Sequence, residues 1–140
     1  MPRAVLDANV LVSAALSPQG NPAKVVQALN ADAFDLVISE SILDEIRRVF
    51  RYPKIRKRHG WSEEEIQEAV ERLRRIAAVT PGEITLQVIT QDEADNRYLE
   101  CAVEGQADYI VSGDHHLLDL KTYEGIAIVD ARAFIVALRA

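Results

Sequence analysis

The sequence predicts an α/β fold of three layers, with a mostly parallel central sheet flanked by helices. Short continuous apolar runs, such as Tyr109–Val111 and Ile126–Val129, alternate with amphipathic segments along the chain. Runs of this kind are typical of parallel strands that helices cover on both faces. The 140 residues are 49% hydrophobic, and no repeat, low-complexity tract or linker divides them. We therefore expect one domain over residues 1–140, with one core.

The first half of the chain is expected to contain two strands and two helices. In order, these are Ala4–Leu6, Pro22–Leu29, Phe34–Ile38 and a helix from about Glu40 to Arg51. Ser39 is suited to cap the last of them, because its hydroxyl can accept from the free N–H groups of the first turn. That helix should end before Pro53, since the residue before a proline disfavours helical backbone.

The second half should contain three further strands and three further helices. A capping box, Ser62–Glu65, opens a long helix that reaches about Ala78. Beyond it, the expected elements are a half-exposed strand at Ile84–Val88, a helix at Asp95–Glu104 capped by Gly105, the strands Tyr109–Val111 and Ile126–Val129, and a helix at Ala131–Leu138.

The charge of the chain is separated rather than mixed. It carries 16 basic and 22 acidic residues, for a net charge of −6, yet seven basic residues and no acid lie between Arg47 and Arg58. Such a segment attracts polyanions, and Tyr52, His59 and Trp61 in or beside it offer rings for base stacking. The alternative is a solvated helix end, where basic residues are also favoured. The candidate nucleic-acid-binding residues are Arg51, Lys54, Arg56, Lys57 and Arg58.

Several protein classes are disfavoured by the sequence. No apolar stretch approaches the roughly 18 residues of a membrane helix, and the N-terminus lacks the pattern of a secretory leader. Cys101 is the only cysteine, so no internal disulfide can form, which suits a reducing compartment. We therefore expect a cytoplasmic protein without a membrane partner.

Three aspartates are expected at one edge of the sheet or on a buried face. Asp7 ends the first predicted strand, and Asp114 comes shortly after the fourth. Parallel strands present their carboxyl ends at the same edge, and ligands of such sheets bind outside that edge. Asp95 lies three and four positions before Tyr98 and Leu99, so it extends the apolar face of its helix.

Glu45 is the sharpest anomaly in the sequence. It lies three residues after Ile42 and four before Val49, inside the apolar stripe of its helix. Burial of a carboxylate on such a face costs several kcal/mol unless it is paired or coordinated. The other acids of this helix share the polar face with arginines, where ion pairing is a sufficient explanation.

The four acids taken together predict a metal site. Two unit charges about 4 Å apart repel by about 4 kcal/mol at an effective dielectric constant near 20, so either some are protonated or a cation lies among them. Oxygen ligands suit a hard ion such as Mg²⁺ or Mn²⁺, which can activate water and neutralise a phosphodiester in its transition state. Each acid taken singly is explained by a helix cap or a turn. The candidate catalytic and metal-binding residues are Asp7, Glu45, Asp95 and Asp114.

Other candidate residues are disfavoured. His115 and His116 form an adjacent pair that cannot easily face one ion, so a transition-metal site there is not expected. Asp92, three residues before Asp95, could assist the site but is expected to lie in the preceding loop. Cys101 lacks a histidine partner motif and is expected to be a small buried residue. Trp61 is expected to pack near a helix start rather than to bind a base.

The chain resembles the PIN-domain family over nearly its whole length. Four segments carry the resemblance, in the order and spacing of that family: Val5–Ser13, Ile38–Ile46, Asp92–Asn96 and Ala107–Asp114. The resemblance implies a Rossmann-like parallel sheet and a metal-dependent nuclease, usually one that acts on RNA.

The acidic set of that family would fall on the same four residues. The ligands of a Mg²⁺ or Mn²⁺ ion would be Asp7, Asp95 and Asp114, with Glu45 as an additional or water-mediated ligand. The polar positions that orient these acids match Asn9 and Ser112.

The resemblance also implies partners. Many small relatives are VapC-like toxins of type II toxin–antitoxin pairs, inhibited by a small antitoxin and commonly dimeric. We therefore expect an RNA substrate, a small antitoxin and a homodimer. One alternative is a non-catalytic RNA-binding or scaffold module, which the complete retention of the four acids disfavours. A phosphoacceptor domain is the other, but it needs a lysine that the Ser-Gly-Asp strand end does not offer.

Overall fold

A six-stranded sheet forms the centre of the computed structural model, which describes residues 1–140. The strands are β1 Arg3–Leu6, β2 Asp35–Ser39, β3 Ala78–Thr80, β4 Tyr109–Val111, β5 Thr122–Tyr123 and β6 Ile126–Val129. Their order across the sheet is β3-β2-β1-β4-β6-β5, and only β5 is antiparallel to its neighbour. The predicted α/β class and the mostly parallel sheet are confirmed.

Eight helices flank the sheet. They are α1 Ala8–Leu16, α2 Asn21–Asn30, α3 Glu40–Arg51, α4 Pro53–His59, α5 Glu63–Ile76, α6 Asn96–Glu104, α7 His115–Leu118 and α8 Ala131–Arg139. Helix α6 packs on β1, β2 and β4, whereas α1 packs on both α2 and α3. No helix combines the length and the apolar character needed to cross a bilayer.

The sheet reverses its strand order between β1 and β4. Val5 of β1 lies opposite Val37 of β2 on one side and Ile110 of β4 on the other, and all three strands run in the same direction. Their carboxyl ends therefore meet at one edge, with Asp7 after β1 and Ser112 after β4. A crevice at such a reversal is the usual ligand site of open parallel sheets.

Local capping signals of the sequence are present where they were predicted. Helix α3 spans the predicted residues, and the N–H of Ile42 in its first turn donates to the Ser39 hydroxyl at 3.3 Å. Helix α5 begins with the complete capping box of Ser62 and Glu65, although it ends at Ile76, two residues before the predicted end.

The strand predicted at Ile84–Val88 is wrong. The edge strand beside β2 is β3, Ala78–Thr80, which the prediction assigned to the end of the preceding helix and the turn after it. Residues 81–90 contain neither helix nor strand. Alternating apolar residues indicate an extended, half-buried backbone, but they do not identify the partner that its N–H groups bind.

Side chains of α6 replace a neighbouring strand along this segment. The backbone N–H of Leu86 donates to Glu100 Oε2 at 2.8 Å. The N–H groups of Val88 and Ile89 donate to Asn96 Oδ1 at 3.1 and 2.8 Å. Both acceptor side chains belong to buried residues, and they satisfy these three N–H groups without a neighbouring strand.

Gly105 ends α6 as predicted, but for a different reason. Its φ is −86°, outside the left-handed region that usually favours glycine at a helix end. A Cβ at this position would lie 2.2 Å from Cγ1 of Val37 on β2. Glycine is therefore required because the helix end closely approaches the sheet.

Candidate metal centre

Asp7 is held at the junction between β1 and α1 by three hydrogen bonds. Its backbone N–H donates to the carbonyl of Val111 at 2.9 Å, which ties it to β4. Its Oδ1 accepts from the backbone N–H of Asn9 at 3.0 Å, and its Oδ2 accepts from the Ser112 hydroxyl at 2.7 Å. The residue is only 3% exposed. These bonds fix the position of the carboxylate at the start of α1.

Ser112 joins the two strand-end aspartates. While its hydroxyl donates to Asp7, its oxygen accepts from the backbone N–H of Asp114 at 3.0 Å. Asp114 in turn caps α7, with Oδ1 accepting from the N–H of His116 at 2.7 Å. Of the two polar residues matched to the family, Ser112 therefore acts through its side chain, whereas Asn9 contributes its backbone N–H.

Asp95 contributes a buried carboxylate from the other side of the site. It ends a single 3₁₀ turn, Glu93–Asp95, that leads into α6. Its side chain is 8% exposed, and Oδ2 has no hydrogen-bond partner. Burial, followed by the negative charges of Asp114, Asp92 and Asp7, raises the pKa of Asp95 to about 7.

Two residues that the sequence did not assign to the site complete a group of four. Asp92, Asp95, Asp114 and His116 each offer one ligand atom, and these atoms lie within 4.8 Å of one another. Asp92 does lie in the loop where it was expected, and it caps the 3₁₀ turn by accepting from the N–H of Ala94 at 3.1 Å. Asp92 therefore lies in the expected loop and also beside the acids, which was the alternative that the sequence left open.

The histidine pair also behaves differently from the expectation. His115 is exposed, whereas His116 turns its Nδ1 toward the acids, 3.6 Å from Asp114 Oδ1 and 3.8 Å from Asp95 Oδ2. This nitrogen is buried and has no hydrogen-bond partner. Only one histidine of the pair, His116, therefore faces the carboxylates.

Glu45 reaches the site through a tyrosine. The Tyr98 hydroxyl donates to Glu45 Oε2 at 2.9 Å and accepts from the backbone N–H of Ala8, the residue after Asp7, at 3.1 Å. Burial raises the pKa of Glu45, and the charges of Asp7 and Asp92 raise it further, against the Tyr98 hydrogen bond and Arg48, which lower it. The sequence pattern assigned Tyr98 only to the apolar face of its helix.

The four acids predicted from the sequence lie at one edge of the sheet, as an inner pair and an outer pair. Asp95 and Asp114 belong to the group within 4.8 Å. Asp7 and Glu45 lie outside that group, yet the charge of Asp7 raises the pKa of both Asp95 and Glu45.

A divalent cation fits this donor set. Buried polar atoms are almost always paired in proteins, so the unpaired Asp95 Oδ2 and His116 Nδ1 call for a ligand. Three carboxylates would supply the negative charge and oxygen atoms that Mg²⁺ and Mn²⁺ prefer.

The basic segment divides into paired and unpaired residues. Arg51 and Arg56 both form ion pairs with Glu63 of α5. The remaining candidates on α4 are exposed and have no acidic partner; they are Lys54, Lys57 and Arg58.

The aromatic residues beside the basic segment differ in exposure. Trp61 stacks on Phe50 with ring centroids 5.0 Å apart, which confirms its predicted packing role. His59 Nε2 donates a hydrogen bond to the carbonyl of Phe50 at 2.9 Å. Of the three rings, only that of Tyr52 is exposed.

Other features of the chain do not contribute to the acidic site. An apolar groove of about 380 Å³ lies between α1, α2 and α5, and none of the site acids lines it. Cys101 is buried as expected, and burial raises its pKa to about 11, which makes the thiol a poor nucleophile at neutral pH.

Comparisons with known proteins agree with this architecture. Residues 3–116 match the sequence model of the PIN domain. An uncharacterised protein of Methanocaldococcus jannaschii, MJ1680, is 30% identical over 119 residues, which are 85% of this chain and 75% of that protein. The fold is also similar to a chain in the crystal structure of VapBC2 from Rickettsia felis bound to a DNA fragment from their promoter. That similarity has a TM-score of 0.58 at 13% identity and covers 90% of this chain and 96% of the other.

Proposed function

The chain belongs to the PIN-domain family, and from this premise we propose that it is a metal-dependent ribonuclease that hydrolyses phosphodiester bonds in RNA. Nuclease activity is general in that family. The observation that carries the proposal is the buried Asp95 carboxylate, whose Oδ2 lacks a partner while Asp92 and Asp114 lie beside it. Such an arrangement is costly for a merely structural residue and useful for one that binds a cation.

Asp7, Asp95 and Asp114 are the proposed metal ligands, with Glu45 as an additional or water-mediated ligand. When bound, a Mg²⁺ or Mn²⁺ ion in such a site lowers the pKa of its water and neutralises charge on the phosphodiester. Ser112 orients the Asp7 carboxylate and the Asp114 backbone together, at 2.7 and 3.0 Å. Groups fixed in this way need little rearrangement when the substrate arrives.

Tyr98 is the proposed positioning residue for Glu45. Its hydroxyl lies between the Glu45 carboxylate and the backbone after Asp7, at 2.9 and 3.1 Å. Because the ring is almost fully buried, this hydroxyl has little freedom to turn away. The hydroxyl therefore fixes Glu45 of α3 relative to Asp7 at the end of β1.

A cleavage assay tests the proposed activity directly. Single-stranded RNA should be cleaved in the presence of Mn²⁺ or Mg²⁺ and left intact in EDTA. In Asp7→Asn, cleavage should fall at least about a hundredfold, because an amide can still cap the helix but loses the charge that binds the ion. Single-stranded DNA of the same sequence tests the preference for RNA.

The matched control for the cleavage assay is Asp119→Asn. It removes the same charge from an exposed residue at the end of α7 and should keep wild-type activity. Cleavage in EDTA, or wild-type activity in Asp7→Asn, would contradict the proposed mechanism. Binding of RNA without cleavage would instead support the alternative of a non-catalytic RNA-binding module.

The unpaired cations of α4 are the proposed contact with the RNA backbone. Replacing Lys54, Lys57 and Arg58 together by glutamine should weaken RNA binding and lower the slope of log K against log salt by about 2, since each phosphate contact on a single strand contributes about 0.7. The measurement is a titration of labelled RNA at several salt concentrations. A variant with Lys24, Lys121 and Arg139 replaced removes equal charge from exposed residues of other elements and should keep the wild-type slope. Equal slopes in both variants would exclude α4 as the contact.

The proposed partners are a small antitoxin and a second copy of the chain. The similarity in fold to VapBC2, a toxin–antitoxin pair by name, supports a VapC-like toxin role. Such a role implies a cytoplasmic location, where the RNA substrate is found. The first partner is tested by asking whether a neighbouring reading frame encodes a small protein that co-purifies with this chain. The mass of the isolated protein in solution tests the second.

A further inference from the structure

His116 is the one nitrogen donor among the acids of the site. Its Nδ1 lies 3.6 Å from Asp114 Oδ1 and 3.8 Å from Asp95 Oδ2, and it is buried without a hydrogen-bond partner. Both distances exceed those of a hydrogen bond. We propose that His116 binds the metal ion through Nδ1, so that the site favours a first-row transition ion such as Mn²⁺ over Mg²⁺. This inference rests on the proposed function, because it concerns the ion of the same site.

The spacing of the four donor atoms suits one ion. Ligands on opposite sides of an ion with bonds of about 2.1 Å are about 4.2 Å apart, and neighbouring ligands are closer. The donor atoms of Asp92, Asp95, Asp114 and His116 all lie within 4.8 Å of one another. These separations are compatible with His116 reaching the ion that Asp95 and Asp114 are proposed to hold, with Asp92 beside it.

The backbone fixes His116 on the side of the acids. The N–H of His116 donates to Asp114 Oδ1 at 2.7 Å, which ties residue 116 to the carboxylate that begins α7. His115 is exposed, although its ring centroid lies only 4.1 Å from that of His116. The buried and unpaired state of Asp95 Oδ2, whose side chain is 8% exposed, points to a ligand independently of the histidine.

An imidazole ligand changes which ion the site selects. Mg²⁺ and Mn²⁺ share a preference for oxygen ligands, but Mg²⁺ demands a strict octahedron and gives up its water reluctantly, whereas Mn²⁺ belongs to the first-row transition ions, several of which bind imidazole readily. Three carboxylates with one imidazole should therefore bind Mn²⁺ more tightly than Mg²⁺. The competing explanation is that His116 is a protonated partner of the acids, which would bring the same groups together without a metal–nitrogen bond.

Electron spin-echo spectroscopy of the Mn²⁺-loaded wild-type protein tests the bond itself. We expect modulation from a directly bound ¹⁴N nucleus, replaced by a ¹⁵N pattern when the protein is made with ¹⁵N-labelled histidine. No variant is needed for this measurement, so a folding defect cannot obscure it. Bound Mn²⁺ without nitrogen coupling would overturn the inference and leave the proposed nuclease standing.

Calorimetric titration with Mn²⁺ and Mg²⁺ tests the selectivity. His116→Gln should lower the Mn²⁺ affinity about tenfold and the Mg²⁺ affinity less than about threefold. The control His115→Gln should leave both affinities unchanged. Equal losses for the two ions would overturn the selectivity. Binding of neither ion by the wild-type protein would remove the proposed function as well, whereas nitrogen coupling without RNA cleavage would remove only the function.

Discussion

Replacement of Asp95 by asparagine is expected to stabilise the metal-free protein while it abolishes metal-dependent cleavage. The wild-type side chain is buried beside Asp92 and Asp114, and its Oδ2 has no partner. Asparagine has nearly the same shape, carries no charge and can donate to the neighbouring carboxylates. At pH 8 in EDTA, the free energy of unfolding should rise by on the order of 1–2 kcal/mol, which is roughly the value of one pKa unit, because solvent near the site and the polar amide of asparagine both reduce the gain below that of the full shift.

The stabilisation by Asp95→Asn should depend on pH in a definite direction. Burial and the adjacent acids raise the pKa of Asp95 from 3.8 to about 7, so between these values the folded chain binds more protons than the unfolded chain. Stability rises with pH only where the unfolded state binds more protons, so here the free energy of unfolding of the metal-free protein should fall as the pH rises from about 4 to about 7. The variant should therefore gain little at pH 5 and most at pH 8.

Metal should stabilise the wild-type protein and not the Asp95→Asn variant. An ion at a hundred times its dissociation constant adds about 2.7 kcal/mol to the free energy of unfolding of a protein that binds it only when folded. Wild type should show such a gain with Mn²⁺ at pH 8, and Asp95→Asn should show almost none. Asp119→Asn, which changes an exposed acid, should behave like wild type in both tests. A metal-free Asp95→Asn protein less stable than wild type at pH 8 would mean that the carboxylate is structural.

The sequence was most informative about residues whose role depends on their position in, or next to, a single helix or strand. β1, β4 and β6 are continuous apolar runs, and the aspartates that follow β1 and β4 reach the predicted edge because parallel strands share a direction. The Ser39 cap and the Ser62–Glu65 capping box are contacts within one turn, so spacing alone identifies them. Glu45 was conspicuous because it interrupts a helical apolar stripe, and it is indeed half-buried.

The sequence was least informative where partners are distant along the chain. Asn96 and Glu100 bind the backbone of residues 86–89, and nothing in the alternation of Ile84–Val88 distinguishes such an arrangement from a paired strand. Asp92 and His116 are 24 residues apart, and only the fold of the intervening chain brings them together. The contacts of Tyr98 could not be predicted either, because its place on an apolar helix face does not show what its hydroxyl touches.

Glu45→Gln is expected to give the second large effect, loss of cleavage without loss of stability. The Glu45 carboxylate is half-buried, and burial and the charges of Asp7 and Asp92 all raise its pKa. Glutamine removes this unfavourable charge and still accepts from the Tyr98 hydroxyl, 2.9 Å away in wild type. The metal-free thermal midpoint should therefore be unchanged or higher, while cleavage in Mn²⁺ falls at least about a hundredfold.

Two companion variants separate the charge of Glu45 from its position. Asp44→Asn changes the exposed neighbouring acid on α3 and should cleave RNA at the wild-type rate. Tyr98→Phe keeps the charge of Glu45 but removes the hydroxyl that holds it and leaves the N–H of Ala8 unpaired, so it should lower both stability and activity. A Glu45→Gln protein with full activity would exclude this carboxylate from the mechanism. If only Tyr98→Phe were impaired, the hydroxyl would matter for holding the α1 terminus beside Asp7, and not for placing Glu45.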